Sequence, residues 1–373
     1  MKIGIDAREI QNGVYTGIGR PLANFLKYFG SLNTDDRCVL FSAQKIPLNF
    51  NGQIKNVVIP EKYTFLWDQW TLPQAIRREG VELFYSPYYK IPLMLSCKSV
   101  SAILDLMYLE FKPYRKALSP AARFYYKTFG RVFAHKADKI LTCSQYSKND
   151  IIRLYGVDAG KIEVIPLSVG DIYRVDKNPE LLSEARKRWG IRGRYLLYVG
   201  NFKPHKNIPA IIDAFQKIYS RYPDLQLVLA GPKEFTYSAC LAKVNQYQLH
   251  QRVIFLGKVT EQDQPHFLYN GAEAFVMPTL YEGFGLPPAE AMACGVPVIA
   301  SNTTSIPEVV RDAGILIDPL DIEAIAEAMK KILDNPGLKE DLVRKGLSYI
   351  QEYNSTKLSA QTYDLFKRVY SGQ

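Results

Sequence analysis

Short apolar runs alternate with longer amphipathic stretches along this chain, and the rhythm is clearest in its second half. Tyr195–Val199, Leu225–Ala230, Val253–Leu256, Ala274–Met277, Val296–Ala300 and Ile315–Ile317 are largely apolar runs of strand length. Ile208–Tyr219, Glu261–Tyr269 and Ile322–Leu333 instead carry apolar residues at helical spacing. Strands that read as nearly continuous apolar runs are buried on both faces, and their alternation with helices predicts parallel βαβ units in an open, doubly wound α/β sheet. The first half repeats the theme less regularly, with strands expected near Lys2–Ile5, Val39–Ser42, Asn56–Ile59, Leu83–Ser86, Val100–Leu104 and Ile140–Cys143. Periodicity fades over 167–193, where Asp176-Lys-Asn-Pro-Glu180 reads as linker. Two Rossmann-like domains follow from this, 1–170 and 171–355, with a last helix, Leu358–Tyr370, inside 356–373. A chain of 373 residues is also long for one core.

Composition narrows the class. Although 47% of residues are hydrophobic, no run reaches the roughly 18 apolar residues of a membrane-spanning helix. The start, Met1-Lys-Ile-Gly-Ile-Asp6, enters a strand pattern directly, without the features of a signal peptide, so a cytoplasmic protein is expected. Neither the five cysteines nor the four histidines show metal-ligand or disulfide spacing, and no metal or resident cofactor is expected. The net charge of +10 is uneven. Residues 1–170 hold 23 basic against 14 acidic side chains, a surplus of nine; the remainder hold 24 against 23. That asymmetry points the first half toward an anionic partner, and no nucleic-acid motif accompanies it.

The densest chemistry lies in Tyr281-Glu-Gly-Phe-Gly-Leu-Pro-Pro-Ala-Glu290, between two expected strands. Gly283 and Gly285 permit backbone conformations closed to other residues, Pro287 suits the first turn of a helix, and Gly295 ends it. A glycine loop opening a helix points backbone N–H groups at one place and favours a phosphate. Glu282 and Glu290 then suit hydroxyls on either side of a diphosphate, a sugar and a ribose. The alternative is a solvated loop residue and a helix-surface residue. Open α/β sheets bind ligands at the carboxyl ends of their strands, and the loop Gly200-Asn-Phe-Lys-Pro-His-Lys-Asn207 meets that condition too. Lys206 there can place positive charge on a departing diphosphate.

The words around these residues closely resemble the retaining glycosyltransferases of the large GT4 family. Glu282-Gly-Phe-Gly-Leu-Pro with Glu290, Tyr198-Val-Gly-Asn-Phe-Lys-Pro-His-Lys-Asn207, Leu229-Ala-Gly-Pro232, Val253-Ile-Phe-Leu-Gly257 and Pro307-Glu-Val-Val310 are similar to successive family blocks. The resemblance is strong over the second half and weak over the first. It implies the GT-B arrangement of two facing Rossmann-like domains with a cleft between them and a last helix crossing back to the first. It further implies that Glu290 binds the ribose, Glu282 a hydroxyl of the transferred sugar, and the backbone of Phe284, Gly285 and Leu286 the sugar and diphosphate. Gly200 and Lys206 would serve the phosphates, and the base would lie near Gly257–Val259. Asn201 departs from the arginine of many family members, leaving His205 or Lys203 as the substitute. Catalysis would fall to Glu282, Lys206 and Asp105, without a protein nucleophile.

On the acceptor side, Thr16-Gly17-Ile18-Gly19-Arg20 is a tight turn that resembles the family's Gly-Ile-Gly-Arg turn, which assigns Gly17 to the ligand site; Leu22 in place of a third glycine excludes a dinucleotide fingerprint. Leu104-Asp105 stands where many relatives have His-Asp. Ser119-Pro120 caps a helix running to about Ala134, with Arg123, Lys127 and Arg131 along one face. This is either a core helix with a solvated basic face or a seat on an anionic membrane, peripheral to the inner face. The function implied is transfer of a hexose, mannose from GDP-mannose, to a lipid-linked or polysaccharide acceptor. An epimerase or phosphorylase on the same scaffold, or an inactive nucleotide-sugar-binding protein, are the alternatives.

Overall fold

The computed structural model describes residues 1–11, 14–15, 19–46 and 52–373. They form two compact units, one of residues 1–168 with 354–373 and one of residues 169–353.

The first unit holds strands β1 (Lys2–Asp6), β2 (Ile10–Gln11), β3 (Val14–Tyr15), β4 (Arg37–Ser42), β5 (Ile54–Val58), β6 (Leu83–Ser86), β7 (Lys98–Ala102), β8 (Lys139–Thr142) and β9 (Ile162–Val164). Apart from the antiparallel β2–β3 ribbon they pair in parallel, in the order β5-β4-β1-β6-β7-β8-β9. The helix Ser355–Ser371 closes this unit against the helix Gly19–Ser31. Phe366, fully buried, meets Phe25 and Tyr85 with ring centroids 5.4 and 5.1 Å away, and Tyr363 meets Phe29 at 5.7 Å.

The second unit holds β10 (Tyr195–Val199), β11 (Gln226–Ala230), β12 (Val253–Gly257), β13 (Ala274–Met277), β14 (Val298–Ser301) and β15 (Gly314–Ile317). All pairs are parallel, in the order β12-β11-β10-β13-β14-β15. Leu196, Leu197, Tyr198 and Phe275 are fully buried, as a sheet covered on both faces requires. The helix Ile208–Ile218 covers it with Ile208, Ile211, Ile212, Ala214 and Phe215, and Ile322–Asp334 packs against that helix.

Several segments differ from the sequence expectation. The stretch read as linker contains a helix, Pro179–Arg188, whose cap Asn178 accepts from Glu180 and Leu181. Its apolar stripe is thin, so periodicity missed what the cap and Pro179 signal. Two further helices, Tyr237–Gln246 and Pro336–Tyr349, had no expectation, and Glu261–Tyr269 is a 3-10 turn followed by the helix Pro265–Asn270.

Candidate active site

In the second sheet the chain runs outward from β10 to β12, then returns to the other side of β10 for β13. Strand order therefore reverses between β10 and β13, and the loops leaving their carboxyl ends flank one crevice, the position where open α/β sheets place ligands. Those loops are Gly200–Asn207 and Pro278–Gly285. A third, after β11, is drawn close: a Cβ on Gly231 would come within 1.8 Å of the Gly200 carbonyl, so only glycine fits.

The glutamate loop is held from below. Ser305, fully buried, has its hydroxyl 2.9 Å from the Glu282 carbonyl and 2.8 Å from that of Phe284. The Glu282 amide donates to the Thr304 hydroxyl at 3.2 Å. Thr304 itself has φ 56°, a conformation β-branched residues rarely adopt, and such strain persists where surroundings over-determine it. Gly285 has φ 118°, and a Cβ there would lie 2.7 Å from Ile306 Cδ1. It precedes the helix Leu286–Ala293. Because the second and third helical positions are Pro287 and Pro288, which lack N–H groups, the anion donors at this helix start reduce to the amides of Phe284, Gly285 and Leu286.

Lys206 and Glu282 meet at the mouth of the crevice. Lys206 Nζ donates to Glu282 Oε1 at 2.5 Å, both side chains being largely buried. Thr279, between the loops and fully buried, links them: its hydroxyl is 2.9 Å from the His205 carbonyl and 3.0 Å from Glu282 Oε1. The Leu280 amide donates to the same carbonyl at 2.6 Å. Thr279 escaped the sequence reading because a lone threonine after a strand carries no chemical signal; only the fold brings it to Glu282 and His205. A hydrogen bond to a charged group contributes about 1.5–3 kcal/mol, so Thr279→Val should lower kcat/KM for the sugar nucleotide by about ten- to a hundredfold, while Thr279→Ser stays near wild type in steady-state assays.

His205 was a candidate to supply the donor missing at Asn201, and its environment bears on its charge alone. Burial pulls its pKa from 6.5 down to about 4, more than the nearby Glu282 carboxylate restores, so the imidazole is neutral at physiological pH. Lys203 remains half-exposed on the same loop, and Asn201 lies nearby, its carbonyl accepting from Tyr198 at 2.9 Å. The histidine shift predicts acid sensitivity. Because the folded state binds this proton more weakly than the unfolded chain, stability is lost as pH falls from 6.5 through 4, by about 3 kcal/mol at most. Denaturation curves at pH 7 and pH 4.5 should show His205→Gln losing less stability on acidification than wild type.

Glu290, 5% exposed, lies one turn into its helix, and Oε2 accepts from the buried Tyr269 hydroxyl at 2.8 Å. Tyr269 was not anticipated either; it lies on the preceding helix, and nothing in its spacing announces the partnership. Val259, half-buried, follows β12, two residues after Gly257, whose φ is 73°. Lys206, Glu282, Glu290, Phe284, Gly285, Leu286, Gly200, Asn201, His205 and Val259 thus all lie at carboxyl-end loops of the second sheet or on the helix that follows one. Asp105 stands in the first unit after β7, where Oδ1 accepts from the Met107 amide at 3.0 Å, just ahead of the helix Met107–Glu110. Gly17 lies outside the described residues. Among the described residues, no group of three or more His, Cys, Asp or Glu side chains could hold a metal ion, and no helix is long and apolar enough to cross a membrane.

Comparison with known proteins agrees with this geometry. Residues 168–348 match the family model described as glycosyl transferases group 1, and residues 42–170 match glycosyltransferase family 4. Over 297 residues the chain is 32% identical to O-antigen chain mannosyltransferase B of Escherichia coli, covering 79% of this chain and 76% of that one. Over 240 residues it is 29% identical to the serotype-specific mannosyltransferase WbdA of the same organism, covering 63% of this chain and 29% of that longer protein. Among solved structures it is similar to the Anabaena protein HepE in complex with UDP-glucose, with a TM-score of 0.76, 17% identity, and coverage of 98% and 99% of the two chains. A glycine loop with paired glutamates at the switch point of a parallel sheet, two such sheets in one chain, and family domains matched across both place this chain in the family-4 glycosyltransferases, with the GT-B fold.

Proposed function

We propose that this glycosyltransferase moves mannose from GDP-mannose, with retention of configuration and without a metal ion, to a saccharide or lipid-linked saccharide acceptor of a surface polysaccharide. The observation that carries the reading is the Lys206–Glu282 pair at the crevice mouth, with Glu290 one turn into the adjoining helix. In it, Lys206 neutralises charge that grows on the diphosphate as the glycosidic bond breaks, a task a metal performs elsewhere. Before the donor arrives, Glu282 compensates the lysine; once the diphosphate takes Lys206, the Glu282 carboxylate is released to accept from a sugar hydroxyl. With no protein nucleophile assigned, the acceptor attacks on the face the diphosphate leaves, and the leaving group assists the proton transfer. The mannosyl assignment draws on the names of the two Escherichia coli relatives, and the sugar-nucleotide class also on the HepE complex.

The acceptor's lipid end would bring the first unit to a membrane surface, where Arg123, Lys127 and Arg131, all exposed on one helix, attract anionic headgroups. A thermal-shift panel of GDP, UDP, ADP and their sugars tests the donor. At about 100 times its dissociation constant a true ligand adds roughly 2.7 kcal/mol of stability. GDP and GDP-mannose should shift the midpoint most; a larger response to UDP-sugars would replace the donor, and no response to any nucleotide would remove the reading. Transfer should persist in EDTA.

A further inference from the structure

The first unit exposes a row of large apolar side chains along the carboxyl-end side of its sheet. Tyr63, Phe65, Leu66 and Trp70 follow β5, Met94 follows β6, and Phe124 lies on the helix Pro120–Lys136; each is more than half exposed, Trp70 and Met94 by 67% and 75%. Single exposed apolar residues are ordinary, whereas six tied together are not.

They are tied by specific bonds. Thr64–Leu66 and the π-helical turn Trp67–Thr71 open a helix that runs on to Arg78, and in this turn Trp67 is buried, donating its indole N–H to the Ile59 carbonyl at 2.9 Å beneath the Arg8 guanidinium, 3.8 Å from its ring. Asp68, beside it, accepts from Arg8 at 2.6 Å. The alternation of anchored and exposed positions makes the outward aromatics a built feature. Gln69 donates to the Ile91 carbonyl at 3.2 Å and accepts from the Leu93 amide at 2.9 Å, fastening the turn to the Met94 loop. Leu93 and Tyr89 in turn pack into the cluster that takes Tyr125 and Phe129 from the basic helix, with Tyr89 and Tyr126 rings 5.8 Å apart. Turn, loop and helix are therefore bonded and packed together. Arg123, Lys127 and Arg131 are exposed on that helix, and Lys112, Arg115 and Lys116 on the short helix Lys112–Ala117 before it.

Aromatic and aliphatic side chains beside a cationic field match a bilayer interface of anionic lipid, where tryptophan and tyrosine settle at headgroup depth and lysine and arginine meet the phosphates. A saccharide chain would use the aromatic faces but gain little from Leu66 and Met94. We propose that the Tyr63–Trp70 turn inserts into the interfacial layer of an anionic membrane, adding a hydrophobic anchor to the electrostatic seat. This rests on the membrane part of the proposed function and is distinguishable from it by salt.

The test uses the full chain with phosphatidylcholine vesicles, with and without phosphatidylglycerol, and with brominated acyl chains as quenchers. Of the three tryptophans, Trp67 is buried and Trp189 lies in the second unit, so Trp70 is the reporter. Anionic vesicles should bind the protein and quench its fluorescence, and Trp70→Phe should remove the quenching while binding persists. Replacing Tyr63, Phe65 and Trp70 together by Ser should weaken vesicle affinity tenfold or more and abolish the part that survives high salt, with GDP binding unchanged. Replacing Arg123, Lys127 and Arg131 by Glu should remove the salt-sensitive part. Binding without Trp70 quenching, or unaltered affinity in the triple-serine variant, overturns the insertion while leaving the electrostatic seat. Absence of vesicle binding by the wild type overturns both, and a Trp70 response to mannan oligosaccharide without lipid quenching would give the patch to a saccharide.

Discussion

Replacing Lys206 by alanine should lower kcat for sugar transfer about a hundredfold or more while changing nucleotide affinity less. Its ammonium lies in a largely dry crevice, where a fixed charge facing the departing diphosphate gains more than it would in water. Removal of one such donor costs about 2.7–4 kcal/mol in comparable sites. In the free protein the lysine pairs with Glu282, so Lys206→Ala also leaves that carboxylate buried without its cation. A Lys206→Ala, Glu282→Gln double variant should therefore recover stability without recovering turnover. Steady-state assays beside melting curves separate the two, and near-wild-type turnover in Lys206→Ala would return the lysine to a structural ion pair.

The second large effect is expected at Glu290. Loss of a charged acceptor for the ribose hydroxyls should raise the dissociation constant of the free nucleotide by about ten- to a hundredfold, the equivalent of about 1.5–3 kcal/mol. Glu290→Ala also strands the buried Tyr269 hydroxyl, which costs about 1–3 kcal/mol of folding stability. Glu290→Gln keeps an acceptor for Tyr269, so it should fold like wild type and still bind nucleotide weakly. Glu282→Ala, by contrast, should bind free nucleotide normally and turn over poorly. Calorimetry with GDP decides the matter; equal losses at both glutamates would contradict the division of roles.

Much of this was legible in the sequence because the same residues obey local and global demands at once. The apolar runs of β10 and β13 come from a sheet covered on both faces, and the glycines and prolines around Glu282 come from the sharp strand-to-helix turn. What stayed hidden depends on proximity created by folding. Thr279 and Tyr269 look like ordinary residues until the switch in strand order brings their loops and helices beside Glu282 and Glu290. The charge state of His205 stayed hidden for the same reason: it is set by burial, which no spacing reports. The helix Pro179–Arg188, read as a linker, buries only Ala185 and therefore left little apolar periodicity to read.

The threading of the chain bears on how it folds during synthesis. Unit two enters at Val169 and leaves at Tyr353, and the Val169 amide donates to the Tyr353 carbonyl at 3.1 Å, so both ends of the unit are side by side. Its whole sequence leaves the ribosome before the helix Ser355–Ser371, whose Leu365, Phe366 and Val369 complete the core of the first unit. Domains ordinarily mature in the order they are translated. Here the later-made unit is complete in sequence while the earlier-made one still waits with Phe25, Phe29 and Tyr85 uncovered, so a chain ended after Asn354 and released should fold its second unit and bind GDP if the proposed donor is right, while its first unit remains a client for chaperones.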